Sequence, residues 1–83
     1  MKKEMLKYNV ILVKDVGGYT VTAPALPGCI SQGETVEEAT EHIKEAIELY
    51  LEVLAEDGET APRDTNIISS VIEVATAATP AHA

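Results

Sequence analysis

The chain has 83 residues, with fourteen Asp and Glu against six Lys and Arg, for a formal net charge of −8. This length holds one domain with a thin core, and without Phe or Trp that core must come from Val, Ile, Leu and Ala. A hydrophobic content of 46% excludes disorder, and the acidity excludes an ordinary binder of nucleic-acid phosphates and points to a basic partner.

Met5 to Lys14 reads as a first strand. Its Val10-Ile11-Leu12-Val13 run is apolar on both faces, as expected of a central, buried strand. Asp15-Val16-Gly17-Gly18 is a turn. Tyr19 to Ala23 alternates, with Tyr19, Val21 and Ala23 on one face and Thr20 and Thr22 on the other, which predicts an antiparallel partner for the first strand. Pro27-Gly28 suits the centre of a type II turn, and Cys29 to Gly33 forms a short third strand. Thr35 followed by Glu38 is a capping-box signature opening a helix that runs to about Asp57, with Gly58 as its stop. At helical spacing Val36, Ala39, Ile43, Ala46, Ile47, Tyr50 and Leu54 share one side, and Glu37, Glu41, Glu45, Glu48, Glu52 and Glu56 the other. Glu59 to Asn66 is a loop. Ile67 to Val74 is β-branched and predicts a fourth strand, parallel to the first after the helical crossover, giving the order 3-2-1-4. Residues 75–83 read as a tail on a single domain spanning 1–83, with an ordered core over about 5–74.

Few residues offer chemistry. Cys29 is the only cysteine, so no disulfide forms within the chain, and it reads as a small core residue. His42 and His82 are too few and too far apart for a metal site, and no cofactor motif is present. Cys29 and His42 lack a third, orienting group that would make a nucleophile and base. The three tyrosines suit core or interface packing. The start lacks the apolar run of a signal peptide, no stretch is long enough to span a membrane, and the expected location is the cytoplasm.

The stretch from Tyr19 to Gly58 carries a recognisable combination. Its parts are Tyr19-Thr20-Val21, the Leu26-Pro27-Gly28-Cys29 turn, Ser31-Gln32-Gly33-Glu34-Thr35, Glu37-Glu38-Ala39 and Ala46-Ile47. It resembles the HicB-like antitoxins, in particular the stand-alone, UPF0150-like form of the HicB N-terminal domain, over roughly residues 5 to 74. Ala25 departs from the Asp that usually precedes the turn. The resemblance implies an α+β, partial ribonuclease-H-like β-β-β-α-β fold: a mixed four-stranded sheet with one long helix on one face. It also implies a partner, a HicA-type toxin, which is a small basic ribonuclease that cleaves messenger RNA using a histidine. Many HicB proteins carry a further C-terminal DNA-binding domain. Only nine residues follow Val74 here and they hold no basic patch, so no direct nucleic-acid binding is expected.

Ribonuclease-H chemistry needs carboxylates converging on two metal ions, the first of them inside the first strand. Residues 8–13 contain none, so the chain is expected to act by binding and not as an enzyme. Residues 34–59 hold ten of the fourteen acids and one base, Lys44. Glu37, Glu41, Glu45, Glu48 and Glu52 are therefore the expected partner-binding residues, steering a basic toxin. Ile68, Val71, Ile72 and Val74 of the fourth strand are the expected oligomer interface, joined by Leu49 and Val53 on the helix flank. Edge pairing through them predicts a homodimer or homotetramer. The competing expectation is an orphan HicB-like scaffold or regulatory module with no toxin partner.

Overall fold

A computed structural model describes residues 5–77. Three strands, β1 (Ile11–Asp15), β2 (Gly18–Thr22) and β3 (Ile30–Gly33), form an antiparallel sheet in the order β1-β2-β3, and one 21-residue helix, α1 (Val36–Glu56), follows. Ile11 stands opposite Thr22, which stands opposite Ile30. Asp15 and Gly18 close the first hairpin around Val16 and Gly17. The Asp15 carboxylate fixes this turn, accepting from the Gly17 amide and the Thr20 hydroxyl, both at 3.1 Å.

The second connection obeys the proline–glycine signal. The Cys29 amide donates to the Leu26 carbonyl at 2.9 Å, and Gly28 sits at φ 81°, where a glycine replaces any other residue at least cost. This fold-back drives Leu26 into the interior, where it is fully buried with Val21, Ala23, Cys29, Ala39 and Ile43. Tyr8, Val10, Leu12, Tyr19, Ala46, Ile47, Tyr50 and Leu51 pack around this cluster. The core thus lies between α1 and one face of the sheet.

Both helix ends are closed. Thr35 Oγ1 accepts from the Glu38 amide at 3.0 Å, as the capping-box spacing predicts, while Glu38 Oε1 reaches one residue further back, to the Glu34 amide at 2.7 Å. At the other end the Glu59 amide donates to the Leu54 carbonyl at 2.8 Å and Gly58 to Ala55 at 3.1 Å, the pairing of a Schellman motif, with Gly58 at φ 72°. Gly33 lets the start of α1 press onto β3: a Cβ there would lie 2.4 Å from the Ala39 amide nitrogen.

The sheet differs from its sequence reading in three respects. Residues 5–10 lie outside the first strand, which begins at Ile11. That strand is at the sheet edge, not its centre, because among the described residues only β2 pairs with it; Leu12 turns to the core, while Ile11 and Val13 point to the uncovered face and stay 52% and 58% exposed. Most consequentially, residues 67–74 form no strand in the described structure, so the order 3-2-1-4 is not present. With no fourth strand made, Ile68, Val71, Ile72 and Val74 are 78–95% exposed. On the helix, Val36 of the expected apolar face is exposed, and Leu51 packs inward instead. Of the expected tail, residues 78–83 lie outside the described residues.

The chain nevertheless returns to β1 after the helix. The Tyr8 hydroxyl donates to the Pro62 carbonyl at 2.7 Å. The Asn9 amide donates to Asp64 Oδ2 at 3.1 Å, and the Asn9 side-chain amide bonds the same oxygen. Asp64 opens a short 3-10 turn, Asp64–Asn66. Residue 67 is therefore delivered beside the start of β1.

Candidate partner-binding surface

Three surfaces are left for partners: the outer face of α1, the two edges of the sheet, and the segment 67–74. The helix surface follows from its pattern. Because Ala39 and Ile43 are buried against the sheet, Glu37, Glu41, Glu45, Glu48 and Glu52 are turned outward, and all five are exposed. Lys44, the single base of this region, sits on the flank facing residues 5–10, where it lines a groove with Met5, Tyr8 and Ile47. The opposite flank, toward β3, carries no Lys or Arg.

That β3 flank holds an apolar groove of about 480 Å³ lined by Cys29, Ile30, Leu49, Tyr50, Val53 and Leu54. Leu49 is 61% and Ile30 60% exposed. The Tyr50 hydroxyl donates to the Pro27 carbonyl at 2.9 Å, tying the groove floor to the turn before β3. Cys29 is buried there, and removal from water pushes its thiol pKa up, which keeps it protonated and unreactive.

The strand edges follow from hydrogen-bond alternation. The Cys29 carbonyl accepts from the Ala23 amide at 3.1 Å, which sets the alternation: Ser31 and Gly33 exchange bonds with β2, while the N–H and C=O groups of Ile30 and Gln32 point away from it. One of these, the Gln32 carbonyl, lies 2.6 Å from His42 Nδ1, which as the donor carries the ring hydrogen. His42 is thus engaged with backbone and is not a base for Cys29. By the same alternation Leu12 and Lys14 present their backbone groups on the free edge of β1.

The sequence singled out the helix acids and Leu49 and Val53, and the structure places them on adjoining surfaces. It did not reveal the open β3 edge or the His42 contact, since neither has a local sequence signal. Among the described residues no group of three or more His, Cys, Asp or Glu is placed to hold a metal ion, and no helix is long and apolar enough to cross a membrane.

Residues 8–78 match the family described as HicB-like antitoxin of bacterial toxin–antitoxin systems. The chain belongs to the HicB-like antitoxin family. It is 53% identical over 60 residues to a UPF0150 protein of Thermoplasma acidophilum, covering 71% of this chain and 87% of that one. UPF0150 proteins of Synechocystis and Helicobacter pylori are each 45% identical over 67 residues, covering 80% and 81% of this chain and 85% and 93% of theirs. Membership in the HicB-like family points to a toxin–antitoxin role, with a toxin as partner, and to binding in place of catalysis.

Proposed function

We propose that this HicB-like domain binds and neutralises a HicA-type, messenger-RNA-cleaving toxin in the cytoplasm. The observation that carries the reading is the charge segregation on a domain of antitoxin type: ten acids and one base over residues 34–59, with Glu37, Glu41, Glu45, Glu48 and Glu52 exposed along one helix face. Such a face raises the encounter rate with a basic protein and disfavours nucleic acid. No catalytic step falls to the chain itself, whose only thiol is buried and whose first strand presents no carboxylate on the core face.

Assembly completes the sheet in this reading. Residues 67–74 become the fourth strand of a partial ribonuclease-H-like fold by pairing with the free edge of β1, and their outer edge pairs with another copy in a homodimer or homotetramer. Support comes from the Tyr8–Pro62 and Asn9–Asp64 contacts, which deliver residue 67 to that edge, and from the exposure of Ile68, Val71, Ile72 and Val74. An apolar β-branched segment of this kind is stable in water only when its edge and face are covered.

The test is co-expression with a HicA-type toxin, a small basic ribonuclease. Restored growth and co-purification of the two chains are expected. A toxin that kills undiminished, with no complex recovered, contradicts the reading.

A further inference from the structure

We propose that the β3 edge and the groove beside it are where a basic protein partner docks, by adding an extended segment to β3. This inference rests on the antitoxin reading and specifies the contact within it. Backbone recognition is available because the N–H and C=O of Ile30 and the N–H of Gln32 point outward from β3, while His42 already occupies the Gln32 carbonyl and so limits the ladder to these groups. Side-chain recognition is available because alternate residues of an added strand face the helix side, where Leu49, Val53 and Tyr50 form the groove.

The charge around the groove selects the occupant. At about 100° per residue, Glu45, Glu52 and Glu56 all lie within about 60° of Leu49 around the helix axis. All three are exposed, and the one helix base, Lys44, lines the opposite flank. A second copy of the chain meeting this surface across a twofold axis brings the same acids against themselves. A strand with apolar residues facing the groove and Lys or Arg at its flanks satisfies backbone, groove and rim together. The two sides of the sheet thus have separate roles, the β1 side with residues 67–74 for self-assembly and β3 for the toxin.

The experiment measures binding of the full chain to the same HicA-type toxin, inactivated at its catalytic histidine. Ile30→Pro removes one outward N–H and no bond to β2, a substitution that edge strands accept, and is expected to weaken binding by about 30-fold or more. Leu49→Asp is expected to weaken it similarly, and Val16→Ser, at the fully exposed β1–β2 turn, to leave it within about twofold of the parent. Circular dichroism identifies any variant that fails to fold. Hydrogen exchange on the unaltered complex provides a readout that needs no variant, with slowed exchange expected at the Ile30 and Gln32 amides. Binding with Ile30 and Gln32 unprotected, or with Ile30→Pro binding like the parent, overturns the docking site and leaves the antitoxin reading standing. No binding by the unaltered chain overturns both.

Discussion

Gly33 is a point where residue chemistry tightly constrains the fold. The start of α1 lies so close to β3 that a single added methyl group meets the Ala39 backbone. Gly33→Ala is expected to destabilise the domain by about 1–3 kcal/mol, since backbone on both sides must move, and urea unfolding measures it. An unchanged midpoint contradicts the close approach. Cys29 gives a second residue-scale test. Its thiol is buried and its pKa raised by desolvation, so alkylation at neutral pH is expected to be slow in the folded protein and fast in urea. The sign of the linkage follows: the folded state holds the thiol proton to higher pH than the unfolded state. This contribution to stability is therefore complete below the ordinary thiol range and is lost as pH rises through it. A stability that increases across that range contradicts the assignment.

At the scale of elements, the helix was legible in its ends and in most of its buried face, Val36 and Leu51 excepted, because its evidence is local. Thr35 and Glu38 mark its start, Gly58 its stop, and the separation of Ile43 and Tyr50 from the glutamates sets its buried face. Strands β2 and β3 were legible in position, as was the turn between them, where Pro27-Gly28 specifies the geometry. Centrality was not legible, because an apolar run such as Val10 to Val13 looks the same whether its second face is covered by the chain or left for another molecule. The same ambiguity governs residues 67–74, whose β-branched composition describes a strand but not what it pairs with. Replacing Val71 and Ile72 together by Lys is expected to change monomer stability by no more than about 0.5 kcal/mol, because both side chains are exposed. The same change is expected to break the edge contact of the proposed homo-oligomer and leave the chain monomeric. Sedimentation velocity distinguishes this from an assembly that persists and therefore uses another surface.

The whole molecule is electrically lopsided. Ten of its fourteen acids lie between residues 34 and 59, so the helix side is strongly negative while the sheet side carries little net charge. Each surface then suits a different neighbour, a basic protein on the helix side and a second copy through β1 and residues 67–74. Association with the toxin is accordingly expected to slow by roughly tenfold between low and high salt as the steering field is screened. Rates independent of salt contradict a steered encounter. Belonging to the HicB-like antitoxin family points to a toxin–antitoxin role, and in the proposed reading the acidic helix side draws in a basic partner. The most direct measurement is a titration of a HicA-type toxin's RNA cleavage with the purified chain. Cleavage is expected to fall in proportion to added chain and to cease near equivalence, while undiminished cleavage in excess chain contradicts neutralisation by binding.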